Sequence, residues 1–151
     1  MPDVVDPQTR SRMMSGIRGR DTKPELLVRK GLFALGFRYR LHSTGLPGKP
    51  DIVLKQYRAA IFIHGCFWHG HDCHLFKMPS TRQDFWGEKI AGNMARDLLV
   101  RQSLHDLGWR QLTVWECALK GKTRLDLDKV LARISAWLKG DETTGEIRGA
   151  A

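Results

Sequence analysis

Pro50-Asp51-Ile52-Val53-Leu54-Lys55-Gln56-Tyr57-Arg58-Ala59-Ala60-Ile61-Phe62-Ile63-His64 carries the strongest structural signal in the chain. Two β-rich runs, Asp51 to Leu54 and Ala59 to Ile63, flank the polar Lys55 to Arg58. Short apolar runs on either side of a polar turn predict a hairpin whose return strand is buried. Ahead of it, Leu46-Pro47-Gly48-Lys49-Pro50 makes a stiff turn. Before that turn, Phe37, Tyr39 and Leu41 alternate with Arg38 and Arg40, the pattern of a half-buried strand.

Moving outward, the period changes to that of helices. Thr22-Lys23-Pro24-Glu25 reads as a capping box with Thr22 as N-cap and Glu25 reaching back. The helix it opens should bury Leu26, Leu27, Leu32 and Leu35 and end at Gly36. A second helix is expected from about Gln83 to Leu107, with Ile90, Met94 and Leu98 on its buried face and a stop at Gly108. Trp109 to Trp115 reads as a strand and Leu125 to Leu138 as an amphipathic closing helix. The N-terminal Thr9 to Gly19 reads as a short basic helix, with Arg10, Arg12 and Arg18 around Met13, Met14 and Ile17. The expected order is α-α-β-β-β-α-β-α: an α/β fold with a mixed β-sheet flanked by helices. Residues 1–20 form a basic arm, 21–140 the core, and 141–151 a frayed, flexible tail.

Composition narrows the function. The 151 residues hold 25 Lys and Arg against 16 Asp and Glu, a net charge of +9. So large an excess on one small domain points to a polyanion, and nucleic acid is the commonest. No apolar run approaches the ~20 residues of a membrane span, which excludes that class. The opening Met1 to Asp6 is acidic and is not a secretory signal. Three cysteines are an odd number for a disulfide framework, so a reducing, cytoplasmic setting with thiols free for metal is expected.

Metal ligands are concentrated in one place. Four of the six histidines and two of the three cysteines fall within the eleven residues His64 to His74. Zinc takes about four soft or borderline donors in a tetrahedron. Cys66, His71 and Cys73 supply three from one loop, and Cys117, at the end of the Trp109 strand, is the natural fourth. Alternatives stay open on spacing alone: reduced buried cysteines with surface histidines, a three-ligand hydrolytic zinc site, or His69 in place of one ligand. H-E-x-x-H, the deaminase signature, the P-loop and the dinucleotide fingerprint are all absent.

Asp51 offers a second site. A carboxylate opening a strand beside a partner strand is how restriction-type nucleases place a magnesium ligand, and magnesium prefers oxygen donors. The D/E-x-K that usually follows is replaced here by Phe62-Ile63-His64.

Four segments together carry a specific resemblance. They are Leu46 to Asp51, Ile63 to Cys73, Phe85-Trp86-Gly87-Glu88-Lys89-Ile90 and Val114-Trp115-Glu116-Cys117-Ala118-Leu119. With Thr9-Arg10-Ser11, Met14 and Arg20-Asp21-Thr22, they resemble the very-short-patch repair (Vsr) mismatch endonucleases over residues 3 to 140. The resemblance implies a restriction-endonuclease-like fold with a structural zinc. It also implies magnesium-dependent nicking of one DNA strand beside a T:G mismatch, which arises when 5-methylcytosine deaminates. By resemblance, Asp51 and the backbone carbonyl of Ile63 hold the magnesium, and His64 contacts the scissile phosphate. His69 is the general base, with Glu25 nearby ordering that histidine and the metal waters. Cys66, His71, Cys73 and Cys117 match the zinc ligands. The family often has threonine where this chain has Ile63, a change that a carbonyl ligand survives but a hydroxyl contact would not. Absence of D/E-x-K is the family's own habit.

The resemblance also assigns the aromatics. Phe67, Trp68 and Trp86 match residues that wedge into the base stack beside the mismatch, where unstacking costs least. Met14 and Ile17 would enter the minor groove on the opposite side. Lys89, Asn93 and Arg96 would read groove edges or touch phosphates. Trp109, Trp115 and Trp137 are left to the core. A single asymmetric lesion suits a monomer, with mismatch-repair proteins and a repair polymerase as further partners. Two rivals stand beside this reading: a non-catalytic zinc DNA-binding module, which has no need of Asp51, and a restriction-type nuclease cutting unmismatched duplex.

Overall fold

The computed structural model describes residues 22–150. The expected basic helix, with Met14 and Ile17, lies outside the described residues. Helix α1 (Lys23–Ala34) starts where the sequence says, with the Thr22 hydroxyl accepting the Glu25 N–H at 3.4 Å and Pro24 in the first turn. It ends at Gly36, whose φ of +98° only glycine adopts cheaply. There the Phe37 N–H bonds to Leu32 O and the Gly36 N–H to Phe33 O, each at 3.0 Å, the two bonds of a Schellman motif.

Among the described residues, five strands form one mixed sheet in sequence order: β1 (Arg40–Leu41), β2 (Ile52–Leu54), β3 (Ala59–His64), β4 (Arg110–Trp115) and β5 (Thr144–Ile147). The expected hairpin is β2–β3, antiparallel, with Ile52 opposite Ile61 and a 3₁₀ turn over Lys55–Tyr57 between them. Helix α2 (Gln83–Asp106) then carries the chain to β4, which runs parallel to β3 with Ile61 opposite Leu112. Helix α3 (Leu127–Lys139) makes the second crossover, to β5, parallel to β4.

Alternation along β3 separates two cores. Ala59 and Ile61 face α1 and α3, packing with Val28, Leu32, Leu112, Ile134 and Leu138. Ala60 and Phe62 face α2 and meet Leu104, Val100 and Trp109. The sheet is thus covered on both faces, as parallel crossovers require.

Several expectations need correction. Glu25 does not close the capping box; it is buried at 2% exposure, and its carboxylate turns to Arg29 and His42. On α1 the buried apolar positions are Val28 and Leu32. Leu26 and Leu27 are half-buried, and Leu35 is exposed because the chain turns at Gly36 and Phe37 fills the core there. Strand β1 is only two residues long at the sheet edge, which leaves Leu41 exposed. On α2, Ile90 is buried, but Met94 and Leu98 are 46% and 62% exposed. The inward line is instead Ile90, Asn93, Asp97, Val100 and Leu104. The frayed tail is also overturned. Thr144–Ile147 pairs with β4, Ile147 is buried at 3%, and the Trp137 Nε1–H bonds to Thr144 O at 3.2 Å. Without that strand, β4 would present an open edge.

Candidate active site and metal centre

A cleft of about 680 Å³ opens where β2 begins and β3 ends, between α1 and α2. Asp51 stands at its floor. Its Oδ2 accepts the Ile63 N–H at 2.7 Å, so the β2–β3 register sets carboxylate and strand end side by side. Burial pushes the Asp51 pKa up from 3.8 to about 6; the Ile63 N–H opposes this and the neighbouring Glu25 adds to it. The neighbouring His42 and His69 also lower it, but together they do not offset the desolvation of the carboxylate.

Glu25 supplies a second carboxylate from α1. Its Oε2 lies 2.8 Å from both Arg29 Nη1 and His42 Nε2. One ligand atom from each of Glu25, His42 and Asp51 fits within 4.8 Å of the others. The set holds two hard oxygen donors beside an orphaned burial cost at Asp51, and it fits a divalent cation.

His64 ends β3, and its ring stacks on His69 with centroids 3.7 Å apart and planes 2° off parallel. His69 Nδ1 lies 2.6 Å from Asp97 Oδ2 on α2. That partner assigns the proton to Nδ1 and leaves Nε2 as the acceptor. Burial, aided by the nearby His69, lowers the His64 pKa to about 3, so His64 is neutral across the physiological range. Its Nδ1 is buried with no hydrogen-bond partner among the described residues. Glu25 therefore pairs with His42 rather than with His69, and the residue that orients His69 is Asp97.

Behind this cleft, the loop after β3 returns to the turn after β4. Cys66, His71, Cys73 and Cys117 present one ligand atom each within 4.8 Å, so all four expected residues meet. Cys66 and Cys117 are almost wholly buried, His71 Nδ1 lies 3.6 Å from Cys117 Sγ, and the Gly149 N–H donates to that sulfur at 3.3 Å. The three cysteines are free thiols. Burial pushes the Cys66 and Cys117 thiols up, and the neighbouring Cys73 sulfur adds to the rise in both. Crowded buried sulfurs are costly as thiolates until a cation joins them, and three sulfurs with one imidazole suit zinc. His69 belongs to the other cluster, with His64 and Asp97.

The two centres share walls. Trp115 stacks on His71 at 3.9 Å and meets His64 edge-on at 5.3 Å, so it is a spacer between clusters rather than a core residue. Glu116 Oε1 accepts the Cys66 N–H at 3.2 Å, tying the loop to the β4 turn.

Phe67, Trp68 and Trp86 line the cleft as a mutually contacting trio, with centroids 5.1 to 5.8 Å apart. All three are half-buried and stand outside both apolar cores. The Asn93 amide donates to Trp68 O at 2.8 Å, and its oxygen accepts from Arg96, so Asn93 braces the loop. Arg96 is exposed and Lys89 half-buried.

Sequence reading missed Asp97 and His42. Asp97 has a signal in retrospect: it stands seven residues after Ile90, on the same helix face. His42, a lone histidine after a weak strand, has none.

Comparison with known proteins agrees with the motifs. The profile of the family described as DNA mismatch endonuclease Vsr matches residues 2–75. The DNA mismatch endonuclease Vsr of Escherichia coli is 45% identical over 147 residues, covering 97% of this chain and 94% of that protein. Type II nicking enzyme V.NmeAIP of Neisseria meningitidis is 48% identical over 122 residues, covering 81% and 87%. Type II nicking enzyme V.XorIIP of Xanthomonas oryzae is 42% identical over 134 residues, covering 89% and 95%.

Proposed function

Because the chain belongs to the Vsr DNA mismatch endonuclease family, we propose that it nicks one strand of duplex DNA beside a T:G mismatch by magnesium-dependent phosphodiester hydrolysis. The observation that carries this reading is one cleft bearing the Asp51 carboxylate, the His64–His69 stack and the aromatic trio together. A mixed sheet with its acidic residue at the start of β2 also suits a restriction-endonuclease-like nuclease.

Asp51 and the Ile63 carbonyl would hold magnesium, with Glu25 ordering its waters. Bound there, the ion would offset charge on the phosphate and acidify a water. His69 accepts the proton of the attacking water at Nε2, and Asp97 stabilises the imidazolium that results. His64 is neutral and stacked, so it donates a hydrogen bond to a phosphate oxygen without needing to titrate. The +9 charge draws the duplex in. Phe67, Trp68 and Trp86 enter the stack at the weakened pair. Residues 1–20, with Met14 and Ile17, act as the arm on the opposite groove, and Lys89, Asn93 and Arg96 border the contact. Cys66, His71, Cys73 and Cys117 hold a structural zinc that fixes the loop carrying His69. The enzyme works as a monomer in the bacterial cytoplasm and hands its nick to a repair polymerase and mismatch-repair proteins.

Strand-labelled duplexes carrying T:G or T:A at one position test the substrate. With magnesium, the T:G duplex alone should be nicked, in the T strand beside the lesion. Equal cutting of both would instead favour a restriction-type activity on paired DNA.

A further inference from the structure

His42 follows β1 with φ at +48°, a left-handed conformation uncommon for any residue with a side chain. Such backbone persists where its surroundings hold it, and it gathers at functional sites. Two contacts tie it to acidic residues of the cleft. Its backbone N–H donates to Asp51 O at 3.0 Å, and its Nε2 lies 2.8 Å from Glu25 Oε2. The ring is 15% exposed and the Glu25 side chain 2%. Glu25 and Asp51 line the cleft, whereas His42 is not among its lining residues. The imidazole stands beside Glu25 with its Nε2 turned to that carboxylate.

Arg29 contacts the same Glu25 oxygen at 2.8 Å, but it does so from one turn along the same helix. An i,i+4 partner moves with α1 and does not by itself fix Glu25 relative to the sheet. His42 links Glu25 to the sheet, because its backbone is fastened to Asp51 and its ring to Glu25.

We propose that His42 is a positioning residue that fixes the Glu25 carboxylate relative to Asp51, so that both face one cation in the cleft. The inference rests on the function proposed above. Partners one step removed from a metal typically change affinity or activity by about 10–100-fold when lost. His42→Leu should weaken magnesium binding, measured by calorimetry without DNA, by about 10–100-fold and lower the single-turnover nicking rate similarly, with DNA affinity unchanged. His42→Gln keeps an N–H for Glu25 and should recover most of both. The double variant His42→Leu/Glu25→Gln should lose less than the sum of the two single variants, since His42 acts on the cation through Glu25.

Additive losses in the double variant would overturn the proposal, as would wild-type magnesium affinity in His42→Leu or a Gln variant no better than Leu. Should His42→Leu fail to fold, the native chain still decides. A slowly exchanging His42 Nε2–H resonance that vanishes in Glu25→Ala is expected, and its absence from the native spectrum overturns the proposal. A native chain that nicks no mismatched DNA would instead contradict the functional reading, while calorimetry would still judge His42.

Discussion

Asp51→Asn should stabilise the magnesium-free protein at neutral pH while abolishing nicking. Burial, reinforced by Glu25 and opposed by the Ile63 N–H, raises Asp51 from 3.8 to about 6. Between those two values the unfolded chain carries the charge and the folded chain holds the proton. Above the upper value the folded chain must carry it as well. Raising the pH from about 4 to about 6 therefore removes stability, and above about 7 the loss is complete. The rise from 3.8 to about 6 corresponds to on the order of 3 kcal/mol, which partial solvent access reduces to about 1–3 kcal/mol. Asparagine keeps an oxygen for the Ile63 N–H, now at 2.7 Å, and sheds the charge. Urea unfolding of both proteins, metal-loaded at the cysteine site and free of magnesium, measures the difference. The variant should gain about 1–3 kcal/mol near pH 7.5, about half of that near pH 5, and almost nothing near pH 4. A gain absent at pH 7.5, or unchanged at pH 4, would refute the claim that the site stores an incompletely compensated carboxylate.

Three other outcomes follow from the same geometry. Cys117→Ser should lose bound zinc and melt well below the native chain, because a structural zinc supplies on the order of 10 kcal/mol of binding free energy; a folded, active native preparation without zinc contradicts this. Asp97→Asn should lower the nicking rate by about 10²–10⁴-fold at unchanged DNA affinity, since His69 loses the partner that sets its tautomer; a near-native rate would remove Asp97 from the machinery. Trp68→Ala should weaken binding to T:G duplex more than to T:A duplex, because unstacking costs a few kcal/mol and only the lesion lowers that cost; a sharp fall in melting temperature with preference intact would make Trp68 a packing residue.

The hairpin, helix α1 and both crossover helices were legible because apolar runs, Gly36 and the Thr22 cap are local signals. The cysteine cluster was legible because three of its ligands lie within eight residues, Cys66 to Cys73. What failed was tertiary. Strand β5, Thr-Gly-Glu-Ile, has one large apolar residue and exists because β4 offers it an edge. The α2 face was misread because hydrophobicity pointed to Met94 and Leu98, whereas the cleft needed Asn93 and Asp97 inward. Glu25 read as a cap because its spacing fits one, and only the fold shows it meeting His42. A functional site breaks the local patterns on which sequence reading depends.

The most direct test of the central claim, that the Asp51 cleft is the hydrolytic centre, is single-turnover nicking by Asp51→Ala on T:G duplex at saturating magnesium. The account predicts no detectable nick together with near-native DNA binding and an intact fold. Native turnover by that variant would contradict it.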